Sequence, residues 1–117
     1  MPPHLARLRL RRPEWSINGP AAAALPDLLA PVDLPKWSVA VAELRTDLHH
    51  ILEAAGYRVR PSEAPWVLVE SAELRTRLAA DAICVRDCSS FGWPATVRIA
   101  VPDADGLARL EKSLMRR

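Results

Sequence analysis

From Trp37 to Ala55 apolar residues recur three and four positions apart, through Val41, Leu44, Leu48, Ile51 and Leu52. They form one non-polar stripe, and the spacing predicts a helix over residues 35–55 with Trp37 in its core-facing side. Glu43, Arg45, Asp47, His49 and Glu53 fall mostly outside the stripe. Gly56 is the predicted stop, because the left-handed conformation that closes a helix is easiest for glycine. Beyond it the period falls to two. Residues 57–60 and 66–70 read as strands, separated by a loop from Pro61 to Pro65. Ser71 is placed to cap a helix over residues 72–80 that buries Leu74 and Leu78. Residues 83–86 read as a short strand, followed by an irregular stretch over 87–95. Residues 96–101 are the clearest strand, Val97, Ile99 and Val101 alternating with Thr96, Arg98 and Ala100. Pro102 ends it, Asp103 caps a last helix, and Leu107, Leu110 and Leu114 are that helix's buried stripe.

The N-terminal part is built differently. Residues 3–12 predict a short basic helix, with Arg7, Arg9, Arg11 and Arg12 around Leu5 and Leu8, stopped by Pro13. Two leucines bury too little to offset ordering entropy, so this helix is expected to pack on something else. Asn18, Gly19 and Pro20 start a further helix through Ala21–Leu25, which Pro26 should kink or split. The division predicted is therefore residues 1–34 as connecting helices and residues 35–117 as the compact domain. The fold class expected is α/β (α+β): a small mixed, largely antiparallel sheet of three to four strands with helices packed on one face.

Composition narrows the function classes. The chain has 117 residues, half of them hydrophobic and 26% charged, which is globular. Sixteen Lys and Arg against fourteen Asp and Glu leave +2, too small a surplus to imply a nucleic-acid or membrane partner. The apolar runs are too short to span a membrane. Two cysteines without a CxxC pair point to a reducing compartment, and a cytoplasmic location is the expectation.

Candidate chemistry centres on two arginines. Alternation turns Arg86 and Cys84 away from Ile83 and Val85, and turns Arg98 away from Val97 and Ile99. Strand arginines on a polar face suit a ligand cleft, since a guanidinium grips carboxylate or phosphate through two parallel hydrogen bonds. The polar loop from Asp87 to Gly92 lies between them. The same pattern also fits two surface arginines on a half-exposed sheet. Cys84 reads as a small buried apolar residue and Cys88 as partly exposed, with no base beside it. His49 and His50 are neighbours on a helix and face different ways, and His4 stands alone, so no metal site is expected. Trp15 and Trp66 read as pins between layers, and Trp93 has no assignment. There is no glycine-rich phosphate loop, and no catalytic residue is expected.

The order of these pieces resembles a known family. Its parts are the long helix ending at Gly56, Val59-Arg60-Pro61-Ser62, the strand Pro65-Trp66-Val67-Leu68-Val69, the stretch from Ile83 through Val85-Arg86-Asp87-Cys88-Ser89-Ser90-Phe91-Gly92, and Val97-Arg98-Ile99-Ala100-Val101. The series is similar to the C-terminal small domain of class I/II, fold type I, pyridoxal-phosphate-dependent aminotransferases, and covers almost the whole chain. Histidinol-phosphate aminotransferase and the threonine-phosphate decarboxylase of cobalamin biosynthesis are the members it resembles. The Val85–Gly92 stretch and Trp15-Ser16-Ile17-Asn18 tilt the likeness to the second. The resemblance implies that Arg98 binds the substrate's α-carboxylate and that Arg86 contacts its phosphate.

It also implies pyridoxal 5'-phosphate as cofactor of the intact enzyme, a homodimer, and a phosphorylated amino acid as substrate. The Schiff-base lysine of the family lies in a large domain, and the only lysines here, Lys36 and Lys112, do not match its motif. The chain is thus expected to be the C-terminal part of an enzyme, its partner a large pyridoxal-phosphate-binding domain. Alone it is expected to bind no cofactor and to be inactive. The competing reading is a stand-alone anion-binding module of α+β fold. Against a nucleic-acid ligand, the strand centres carry Val, Ile and Leu rather than stacking aromatics.

Overall fold

The computed structural model describes Arg7, Leu10, Arg11 and residues 16–116, and the chain divides into two units, Met1–Asp33 and Leu34–Arg117. In the first unit Arg7, Leu10 and Arg11 are helical. The rest of the predicted basic helix, Trp15 and His4 lie outside the described residues. Helix α1, Gly19–Leu29, opens as expected: the Asn18 side chain accepts the Ala21 N–H at 2.9 Å, and proline sits in the first turn. The expected break at Pro26 does not occur. Its missing N–H costs one bond, but the Ala30 N–H still donates to the Pro26 carbonyl at 2.9 Å, so the helix continues across it.

The second unit opens with helix α2, Leu34–Ala54. Strands β1, Arg58–Arg60, and β2, Trp66–Glu70, follow, then helix α3, Leu74–Ala80. Strand β3, Arg86–Asp87, leads through a 3₁₀ turn at Ser89–Phe91 to strand β4, Thr96–Ala100, and helix α4, Ala104–Met115, closes the unit. The four strands form one antiparallel sheet in the order β1-β2-β4-β3, without the parallel pairing that a mixed sheet would have. One face of the sheet, Val59, Val67, Val69, Val97 and Ile99, packs with Leu48 and Leu52 of α2, Leu74 and Leu78 of α3, and Leu107, Leu110 and Leu114 of α4. Each fully buried leucine or valine contributes about 1.5–3 kcal/mol of transfer free energy, so this single core dominates the stability of the unit.

Further expectations about burial and strand extent need correction. Trp37 is 56% exposed rather than core. A 21-residue helix is about 31 Å long. A five-residue strand spans only about 17 Å, so α2 outruns the sheet and only its second half is buried against it. Residues 83–85 are not a strand, and β3 keeps two residues, because β4 pairs only with Arg86 and Asp87 on that side. Thr96, predicted on the polar side of its strand, is 5% exposed because the 88–95 loop folds back, with the Cys88 N–H donating to the Thr96 carbonyl at 3.0 Å.

Candidate functional site

Sheet register assembles the site. Arg60 of β1 faces Leu68 of β2, Leu68 faces Arg98 of β4, and Arg98 faces Arg86 of β3. Cross-strand partners share a face, so these four residues form a single row. Val59, Val69 and Val97 alternate with them and hold the core face, so the arginines lie on the side turned away from the helices of this unit. Trp66, opposite Ala100, stands on the same open face one row along.

The arginines differ in their partners. Arg60 donates from Nε to Glu70 Oε1 at 2.9 Å, with its Nη2 2.6 Å from the same oxygen. Arg75 pairs with Asp87 at 3.3 Å and Arg116 with Asp81 at 3.0 Å. Arg45, Arg77 and Arg109 donate to backbone carbonyls. Arg86 and Arg98 have no such oxygen partner among the described residues. Each lies instead over an aromatic ring: Arg98 is 5.2 Å from the centre of Trp66 and Arg86 is 5.4 Å from that of Phe91. Arg60 completes a third stack, 4.5 Å from Trp93. These distances fall within the cation–π range, and a guanidinium so placed keeps N–H donors for a ligand.

The three rings line one recess of about 190 Å³ with Leu68, Cys88 and Arg98. A larger hollow of about 340 Å³ opens on the helix side, at Ile51, Arg77 and Leu114. There Arg77 already donates to Tyr57 Oη and to the carbonyls of Leu114 and Arg116, so it has less left to offer a ligand.

A short turn delivers two of the rings. Asp87 Oδ1 accepts from the Ser89 backbone N–H at 2.8 Å and from Ser89 Oγ at 2.6 Å, which starts the 3₁₀ turn. The Ser89 hydroxyl, then the Ser89 N–H and the charges of Arg75 and Arg86, hold the Asp87 carboxyl below its usual range. The Phe91 N–H returns to the Cys88 carbonyl at 2.9 Å, and Gly92 takes the left-handed conformation, φ 78°. The chain thereby turns so that Phe91 and Trp93 both line the recess.

The structure places Arg86 and Arg98 on the side turned away from the core and opposes them in register, a pairing that alternation alone does not predict. Arg60 was missed, although its place after Val59 carried the same signal. Trp66 is not a pin between layers but a platform on the open face, and Trp93 now has a place under Arg60. The two cysteines exchange the environments expected of them: Cys84 is exposed and Cys88 buried, because the turn tucks Cys88 beneath the recess. Among the described residues no three His, Cys, Asp or Glu side chains gather to hold a metal, and His49 meets only Glu53, at 3.8 Å. No described helix is long and apolar enough to cross a membrane. Of the two lysines, Lys112 belongs to α4, which packs on the other face of the sheet, and Lys36 to the exposed first turn of α2. Neither lysine is among the residues that line the recess or lie over its rings.

These features define a small α/β domain whose open sheet face displays paired arginines on aromatic platforms. Two solved structures of similar fold are described as aminotransferases. A candidate aminotransferase of Burkholderia pseudomallei K96243 superposes with a TM-score of 0.72 and 26% identity, over 94% of this chain and 35% of its own. The histidinol-phosphate aminotransferase of Clostridium acetobutylicum matches with a TM-score of 0.70 and 25% identity, over 93% of this chain and 36% of its own. The chain thus spans about a third of the length of either neighbour and is similar to an aminotransferase fragment. No protein-family model matches the sequence, and neither does any curated protein.

Proposed function

We propose that this chain is the substrate-recognition part of a pyridoxal-phosphate-dependent enzyme acting on a phosphorylated amino acid. One observation carries the reading: on an aminotransferase-like fold, Arg86 and Arg98 are opposed in register and have no oxygen partner among the described residues. A ligand with two anionic groups supplies what they lack. Arg98, beside the recess, takes the α-carboxylate, and Arg86, at the sheet edge, takes the distal phosphate. The two grips orient the amino acid so that its α-carbon is presented away from the sheet. In the intact enzyme, bound pyridoxal phosphate would supply an electron sink for the reaction at that carbon. Its lysine and its phosphate cradle come from a large partner domain, in a homodimeric enzyme. The particular reaction favoured by the Val85–Gly92 stretch is decarboxylation of threonine phosphate in cobalamin biosynthesis. The neighbour named a histidinol-phosphate aminotransferase favours transamination of a related phosphate ester.

The rival reading is a stand-alone anion-binding or interaction module, and one that held single-stranded nucleic acid would need free rings for base stacking. Each of the three rings on this face already has a guanidinium on it, which supports the amino-acid reading.

The test is an NMR titration of the 117-residue chain at low ionic strength, following arginine Nε–H signals. O-phospho-L-threonine is expected to shift both Arg86 and Arg98, whereas L-threonine shifts Arg98 alone. Failure of either compound to move these signals, or movement confined to other arginines, overturns the proposal.

A further inference from the structure

We infer that Trp66 and Phe91 are positioning residues, which hold two like-charged guanidiniums on separate rings so that each presents its donor edge to a different anionic group. The inference rests on the reading above and adds to it the device that sets the spacing of the two grips.

Side chains opposed on adjacent antiparallel strands start with Cβ atoms only about 4.5–5.5 Å apart. Two flexible cations there repel, and most of their rotamers point into water rather than at a ligand. The structure places a different ring beneath each. Trp66 is reached diagonally from Arg98, because Trp66 pairs with Ala100, two residues along β4. The Val101 N–H donates to the Pro65 carbonyl at 3.0 Å, which extends the ladder past Trp66 and fixes its backbone. Phe91 is carried to Arg86 by the turn that Asp87 and Ser89 close. The two platforms thus belong to different elements, and each is fixed by the backbone independently of the other.

The rings do more than occupy space. Trp66 is 37% exposed and Phe91 58% exposed, so neither fills the core, where large apolar residues contribute most to stability. Each offers its π-face to a cation, and the recess they share with Trp93 and Leu68 removes water from one side of Arg98. A guanidinium held over a ring loses less further freedom on binding, so its bidentate grip forms at lower entropic cost.

The experiment compares the wild-type chain with Trp66→Leu, Trp66→Phe, Phe91→Leu and Arg98→Gln, with O-phospho-L-threonine as probe. In the free protein the Trp66 ring should displace the Arg98 δ-proton resonances upfield. Trp66→Leu is expected to abolish that displacement and weaken probe binding about fivefold, and Trp66→Phe to restore most of both. Phe91→Leu is expected to weaken the phosphorylated probe more than L-threonine, and an equal loss for both, or none, would remove Phe91 from the proposal. If Trp66→Leu lowers only the melting temperature, or changes nothing, while Arg98→Gln loses the probe, the positioning role is wrong and the anion site stands. If Arg98→Gln binds the probe as the wild type does, both fall together.

Discussion

Arg86 of β3 and Arg98 of β4 are direct partners in the sheet register, two positive side chains opposed on neighbouring strands. Like charges so placed destabilise a sheet, and here no acidic side chain bonds to either among the described residues. An oxyanion that bridges or occupies them relieves the repulsion and stabilises the folded state by mass action. At a hundredfold excess over its dissociation constant the gain is about 2.7 kcal/mol. Differential scanning fluorimetry should show O-phospho-L-threonine raising the melting temperature above a chloride control of equal ionic strength. The shift should vanish in Arg86→Gln, Arg98→Gln double variants.

Arg98→Lys is expected not to be a conservative change. Lysine keeps the charge but lacks the planar fork that grips a carboxylate at two points from its place over Trp66. The loss expected in carboxylate binding is about 1.5–3 kcal/mol, the scale of a charged hydrogen bond. Calorimetric titration of Arg98→Lys with O-phospho-L-threonine measures it, and an affinity equal to wild type would remove Arg98 from the site.

Two helices of the domain end in the same motif with different residues at its left-handed position. At the end of α2 the Tyr57 N–H donates to the Leu52 carbonyl and the Gly56 N–H to the Glu53 carbonyl, with Gly56 at φ 85°. At the end of α3 the Ile83 N–H donates to the Leu78 carbonyl and the Ala82 N–H to the Ala79 carbonyl, with Ala82 at φ 55°. Alanine is strained in this conformation and glycine is not. Ala82→Gly should therefore stabilise the chain by about 0.5–1 kcal/mol, the relieved strain less the extra entropy of glycine in the unfolded chain. Gly56→Ala should destabilise it by about 1 kcal/mol or more. Urea denaturation of both variants checks the opposite signs.

Asp87 ties the Ser89–Phe91 turn to pH. Its carboxyl titrates below the usual range because the Ser89 hydroxyl and N–H, and then Arg75 and Arg86, favour the charged form. A folded-state value below the unfolded one means that its contribution is complete above the ordinary carboxylate range. That contribution is lost as pH falls through the lowered value. The upfield shift of the Arg86 side chain caused by Phe91 should fade over that same acidic window. In Ser89→Ala the transition should move to higher pH, as NMR titration of the Asp87 carboxyl carbon would show.

Much of the fold was legible along the chain because periodicity reports which faces are buried. Leu44, Leu48, Ile51 and Leu52 placed the long helix, and Val97 and Ile99 placed the central strand and with it the outward direction of Arg98. Periodicity does not report how far a helix extends past its sheet, so Trp37 read as core although nothing in its sequence neighbourhood distinguishes it from Leu48. Nor does it distinguish a strand from an extended segment that happens to alternate, which is why residues 83–85 were misread. Cys84 and Cys88 exchanged their environments for the same reason: the turn closed by Asp87 and Ser89 decides which of them is covered.

By itself, then, the sequence determined the elements, the amphipathic faces and the two arginines that leave the core side, since each follows from local spacing. Only the tertiary structure decided that Arg60, Leu68, Arg98 and Arg86 share one row, and that three rings from β2 and the 88–95 loop lie beneath three guanidiniums. Row and stacks depend on which strand pairs with which and in what register. The pairing of β2 with β4 joins residues about thirty positions apart, through backbone hydrogen bonds that any residue but proline can make.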